Sequence, residues 1–123
     1  MSGTHGKTTT TAMLAKVMVD AGLNPTALVG SLLDGGKTNF IAGKSKYLVL
    51  EACEYKRQFM ELEPTMLVIT NIEEDHLDYF KDLADIKKAF QALALKTSEQ
   101  GAIVCQPDSF YTKEVPARVI DYT

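Results

Sequence analysis

Apolar residues recur at helical spacing after Lys7, where Met13, Leu14, Val17, Met18 and Ala21 fall on one face and Gly22 offers a left-handed stop. The pattern predicts a helix that opens directly from a glycine-containing loop. Asn24-Pro25 then turns the chain into a short apolar strand over 26–29, and residues 30–36 read as a loop. Two further strands are predicted over 38–41 and 46–52, and the tight turn Ala42-Gly43-Lys44-Ser45 between them predicts a hairpin. The second of these runs ends in the polar stretch 51–57. Residues 65–72 form a continuous β-branched run, the pattern of a parallel strand buried on both faces. Leu83, Ile86, Phe90, Leu93 and Ala94 place a helix over 83–96, and strands follow over 102–105 and 118–122. The sequence holds no internal repeat and no low-complexity tract.

Strands that alternate with helices and end in polar or acidic residues predict an α/β fold. The expected architecture is a three-layer, mostly parallel sheet of the phosphate-loop NTPase type, with helices on both faces and the site at the carboxyl ends of the strands. A phosphate loop is normally launched from a buried central strand, yet only Met1 and Ser2 precede Gly3, so the first strand is expected to be truncated.

Composition narrows this picture. With 123 residues, 46% apolar and 24% charged, there is room for one globular domain and not for two. The net charge of -3 and pI of 5.3 exclude nucleic acid or an anionic membrane as the main partner, because an acidic surface is not drawn to phosphate backbones or lipid headgroups. No apolar run approaches the roughly 20 residues that span a bilayer. The polar N-terminus is unlike a signal peptide. Cys53 and Cys105 are too few and too far apart for a disulfide framework or a zinc ribbon. These features predict a cytoplasmic protein, with Cys53 a small packing residue and no catalytic thiol.

The chemistry begins at Ser2-Gly3-Thr4-His5-Gly6-Lys7-Thr8-Thr9. Glycines let backbone N–H groups turn toward an anion, the following helix presents its positive end, and Lys7 adds a charge. Thr8 is placed to offer its hydroxyl to magnesium. The general pattern G-x-x-x-x-G-K-[ST] asks for glycine at position 1, where Met1 stands. Four threonines in a row, Thr8 to Thr11, make poor helix interior by propensity. Thr8 and Thr9 are expected to face phosphates, and Thr10 and Thr11 to make backbone or packing contacts. Glu51, at the end of an apolar strand, is a second candidate for a magnesium ion.

The loop G-T-H-G-K-T-T-T-T, the strand end Glu51-Ala52-Cys53-Glu54, and the run Thr70-Asn71-Ile72-Glu73-Glu74-Asp75-His76-Leu77-Asp78 occur in the order seen in the Mur ligases. The chain resembles that family's central, ATP-binding domain over nearly its whole length, with the alanine-adding branch nearest. The resemblance implies an ATP-dependent ligase joining UDP-N-acetylmuramate to L-alanine in peptidoglycan precursor synthesis. It also implies that residues 1–123 form part of the central domain, with an N-terminal UDP-sugar domain and a C-terminal domain absent. Carried over by position, Gly3, Thr4, His5, Gly6, Lys7, Thr8, Thr9 and Asn71 would contact the nucleotide. Thr8 and Glu51 would hold the magnesium ion, for which manganese may substitute, and His76 would help a second metal. Lys7, Glu51 and His76 would be the catalytic set. Asp75 and Asp78 belong to the same motif and are expected to cap the loop and the next helix.

Two departures from the family pattern stand out. The alanine-adding branch usually reads E-A-D-E-S-D where this chain has Glu51-Ala52-Cys53-Glu54-Tyr55-Lys56, so substrate contacts from Glu54, Lys56 and Arg57 are open. Several relatives carry a carbamylated lysine near the position of Phe90-Gln91, where this chain has none; the alanine-adding branch generally lacks it too.

The implied reaction is attack of the sugar's carboxylate on the γ-phosphate of ATP, giving an acyl phosphate that the amine of the amino acid displaces. Charge neutralisation and positioning carry such a step, and no side-chain nucleophile is needed. The alternatives are another amide ligase of the superfamily, of murein-peptide ligase, cyanophycin synthetase or folylpolyglutamate synthase type, or a nucleotide-binding fragment without catalysis. A phosphate-loop GTPase lacks support, since no Asn-Lys-x-Asp run is present.

Overall fold

A computed structural model describes residues 1–33, 38–110 and 112–122, without the side chains of residues 31–33. The chain divides into two units, one comprising Met1 and Gly6–Glu51, the other Ser2–His5 and Ala52–Thr123.

In the first unit, Lys7–Asp20 forms helix α1, and Gly22 adopts the left-handed conformation expected of the stop (φ 74). The buried face differs from the one read off the largest apolar residues. Met13 and Val17 are 64% and 63% exposed, whereas Thr11 and Ala15 are fully buried and Met18 packs beside them. Small side chains let the helix approach a sheet closely. Thr11 tolerates burial because its hydroxyl donates to the carbonyl of Lys7 (2.6 Å), leaving its methyl group for packing.

The sheet of this unit has three strands, β1 (Thr26–Leu33), β2 (Thr38–Ile41) and β3 (Leu48–Leu50), in the order β2-β1-β3. Strand β1 runs through 30–33, which the sequence assigned to a loop; the rest of that predicted loop, 34–36, lies outside the described residues. The predicted hairpin between β2 and β3 does not form. β1 lies between them, antiparallel to β2 and parallel to β3. Residues 42–45 instead wrap past the start of β1, where Ser45 donates through N–H and hydroxyl to the carbonyl of Asn24 (3.2 and 2.8 Å) and Gly43 N–H donates to Thr26 Oγ1 (3.2 Å). Alternation along β1 buries Ala27 and Val29 and exposes Leu28, and Ala27 joins Ala15 and Val49 in the unit's small core.

The second unit holds a parallel sheet, β4 (Met66–Val68), β5 (Ala102–Cys105) and β6 (Arg118–Asp121), in chain order. β5 and β6 fall where the sequence placed them. β4 is shorter than its apolar run and is not covered on both faces, since Met66 is 63% exposed while Leu67 is buried. A parallel pair needs a crossover, and helix α2 (Leu83–Leu95) supplies it between β4 and β5. Asp82 starts the helix by accepting a hydrogen bond from Asp85 N–H (2.9 Å). Its buried stripe of Ile86, Ala89, Phe90, Leu93 and Ala94 follows the predicted periodicity. Phe90 meets Phe59, from a 3-10 segment at Tyr55–Glu61, edge to face at 5.3 Å.

Ser2 lies beside the end of β4 in a parallel bridge to Ile69: Ser2 N–H donates to Val68 (2.7 Å) and Thr70 N–H donates to Ser2 (3.0 Å). The residue entering the loop thus continues the parallel pattern. Among the described residues three of the four strand pairings are parallel, so the fold is α/β and mostly parallel, as the sequence predicts.

Candidate functional site

The loop changes unit at His5, and its two halves are held in different ways.

Gly3, Thr4 and His5 belong to the second unit and are tied to the chain just after β4. Gly3 has φ 132, and a Cβ there would stand 2.0 Å from Thr70 Oγ1 and 2.9 Å from Thr70 N, so only glycine fits. Thr4 N–H donates to the carbonyl of Asn71 (2.9 Å). The Thr4 hydroxyl accepts from Glu73 N–H (2.9 Å) and donates to Glu73 O (3.2 Å). His5 N–H donates to Asn71 Oδ1 (2.9 Å), and the carbonyl of His5 accepts from Asn71 Nδ2 (3.2 Å) and from the Thr70 hydroxyl. The imidazole of His5 points to solvent, with Glu73 at 3.9 Å.

Gly6, Lys7, Thr8 and Thr9 belong to the first unit, where Gly6 (φ 80) is the N-cap of α1. The cap makes no side-chain hydrogen bond and the first turn carries no acidic residue, and the positive end of such a helix suits an anion. Thr8 Oγ1 donates to the Glu51 carboxylate, at 2.9 and 3.0 Å from its two oxygens. Glu51 also accepts from Gly30 N–H (2.6 Å). A Cβ on Gly30 would come within 2.6 Å of that carboxylate. A hydroxyl and a carboxylate are the oxygen donors that suit a hard divalent cation, and here they meet at a helix N-terminus suited to phosphate. These residues fit magnesium and a nucleotide's phosphates. Thr9 is exposed and Thr10 N–H bonds back to Gly6 (3.0 Å), while Thr11 packs inward with its hydroxyl on the Lys7 carbonyl, the backbone and packing role expected of it.

His76 lies in the second unit with φ 51 and Nε2 3.3 Å from Oε1 of Glu54, a carboxylate buried to about 1% exposure. Tyr55 stacks on the imidazole at 4.7 Å, and its hydroxyl donates to Asp78 (2.6 Å). That bond, with smaller contributions from burial and the Asp78 charge, pushes the Tyr55 phenol above its ordinary value. Asp75 accepts from His76 N–H (2.7 Å) within its own loop, whereas Asp78 accepts from Tyr55, and the next helix is capped by Asp82 and by neither aspartate of the motif. Among the described residues no group of three or more His, Cys, Asp or Glu side chains is arranged to hold a metal ion. Arg57 pairs with Asp85 (3.4 Å) and Lys56 lies over the Tyr55 ring at 5.4 Å.

Thus Thr8 meets Glu51, Thr4 and His5 meet Asn71, and His76 meets Glu54. Sequence reasoning missed Gly30, which abuts Glu51, and Thr70, which fits against Gly3. A glycine inside an apolar strand run was the available signal for Gly30, since such a glycine marks a close approach. Thr70 offered none.

The family model for the Mur ligase middle domain matches residues 1–122. A UDP-N-acetylmuramate–L-alanine ligase from Caldicellulosiruptor saccharolyticus is 51% identical over 108 residues, which is 88% of this chain and 24% of that protein. Among solved structures, the UDP-N-acetylmuramate–alanine ligase of Thermotoga maritima is 33% identical with a TM-score of 0.75, covering 88% of this chain and 25% of that one. The UDP-N-acetylmuramate:L-alanyl-gamma-D-glutamyl-meso-diaminopimelate ligase of Neisseria meningitides is 28% identical with a TM-score of 0.77, covering 98% of this chain and 44% of that one. The chain spans about a quarter of the length of the curated relatives it matches. By these matches, and with a glycine-containing loop and a strand-end glutamate in the geometry just described, the chain belongs to the Mur ligase family and corresponds to its middle domain.

Proposed function

We propose that this chain is the ATP-binding part of a ligase that joins L-alanine to UDP-N-acetylmuramate, working in the cytoplasm. The observation that carries the reading is the pairing of Thr8 with Glu51 at the uncapped start of α1. Thr8 and Glu51 would hold a magnesium ion, which would supply charge neutralisation for the phosphates of ATP. Lys7 would offset the charge that develops during transfer, and the helix start would hold the phosphates in line. UDP-N-acetylmuramate and L-alanine would be bound by other parts of a longer ligase, so residues 1–123 alone are expected to bind nucleotide without forming an amide bond. The alanine-adding branch is favoured over the other superfamily ligases by the curated relatives, which carry that name at 37–51% identity. No described helix is long and apolar enough to cross a membrane, which accords with a soluble substrate.

Calorimetric titration with ATP and magnesium tests the reading. Binding should require the metal, and Lys7→Ala should weaken it by about tenfold or more, the loss of one charged hydrogen-bonding partner. Magnesium-independent binding, or unchanged affinity in Lys7→Ala, would contradict the assignment. A preference for GTP over ATP in competition would point to the GTPase alternative.

A further inference from the structure

We infer that Asn71 is a positioning residue that sets the first half of the phosphate loop and does not itself touch the nucleotide; this rests on the ATP-binding reading above. His5 offers one backbone donor and one backbone acceptor, and the Asn71 amide answers both, through Oδ1 at 2.9 Å and Nδ2 at 3.2 Å. That two-point contact fixes the His5 peptide in both position and rotation. The main chain of Asn71 takes the N–H of Thr4 (2.9 Å), while Thr70 and Glu73 on either side take the carbonyl of His5 and the hydroxyl of Thr4. Gly3 permits this because a side chain there would strike Thr70.

A consequence follows for the loop's chemistry. The N–H groups of Thr4 and His5 are already spent on Asn71 and cannot also be aimed at phosphate oxygens. Phosphate binding therefore falls to Gly6 and the first turn of α1, which follow His5 directly in the chain. Asparagine is required because the task needs an acceptor and a donor on one short, planar group. Aspartate retains the acceptor alone, and alanine retains neither.

The test combines ATP titration with amide hydrogen exchange in the nucleotide-free protein. Asn71→Ala should speed exchange at His5 by about tenfold and weaken magnesium-dependent ATP binding by a similar factor, the effect expected from losing a pair of hydrogen bonds. Exchange at Ile69, whose N–H bonds to Val104 in the sheet at 2.8 Å, should not change. Asn71→Asp should restore protection of the His5 amide, since an acceptor is again present. The inference is overturned by wild-type ATP affinity in Asn71→Ala, by lost affinity with His5 protection unchanged, which would place the amide on the nucleotide, or by loss of Ile69 protection, which would make Asn71 a folding residue. If the wild-type protein does not bind ATP, the phosphate-loop reading fails while the exchange measurements still decide whether Asn71 holds His5.

Discussion

Glu51 illustrates how much a single side chain depends on its neighbours. Its carboxylate is held by the Thr8 hydroxyl and by Gly30 N–H, and the lack of a side chain on Gly30 is what lets it lie so close. Gly30→Ala should push the carboxylate aside without straining the backbone, so magnesium should bind about tenfold or more weakly, as when a supporting group around a metal ligand is removed. The midpoint of a magnesium titration of ATP binding measures this, and an unchanged midpoint would show that Gly30 has no part in the site. Tyr55 gives a prediction in pH. Its hydrogen bond to Asp78 raises the phenol's pKa from 10.0, so the folded state favours the neutral form. The stabilisation is full below the ordinary tyrosine value and is lost as pH rises through the raised folded value. Ultraviolet titration of phenolate should therefore lose a late-titrating tyrosine in Tyr55→Phe and an early one in no case. Asp78→Ala should bring that late step down toward the ordinary range.

At the scale of elements, α2 shows sequence and structure in agreement. Its apolar stripe, its Asp82 cap and its burial all point the same way, and Phe90 is wholly buried against Phe59. Phe90→Ala should cost about 3–5 kcal/mol and Asp82→Ala about 1 kcal/mol, read from denaturant unfolding of the intact protein. Equal effects of the two would contradict this account of the helix. α1 was legible in extent and not in orientation. Periodicity marks Met13 and Val17, but the sheet selects Thr11 and Ala15, because close approach rewards small side chains and a threonine can satisfy its own hydroxyl. The strands at 38–41 and at Leu48–Leu50 were legible too, while their pairing was not. A short turn between two apolar runs is compatible with a hairpin or with a chain that wraps a third strand, and only the hydrogen bonds of Asn24 and Thr26 to residues 43–47 decide.

For the molecule as a whole, the three motifs that carried the family resemblance were readable because each packs its chemistry into consecutive residues. What stayed hidden were partners distant in sequence, such as Asn71 with His5, 66 positions apart; Thr8 and Glu51, 43 apart, were brought together by the resemblance and not by spacing. Spacing alone does not bring such residues together; the parallel register around Ser2 and Ile69, and the β1–β3 pairing, do. The central claim is that Thr8 and Glu51 form the cation site of an ATP-binding domain. Electron paramagnetic resonance of manganese, titrated into the protein with ATP, tests it most directly. Wild-type protein should bind manganese in an ATP-dependent manner, and Glu51→Gln, which keeps the shape and removes the charge, should lose that binding by about tenfold or more. Undiminished ATP-dependent manganese binding in Glu51→Gln would contradict the account.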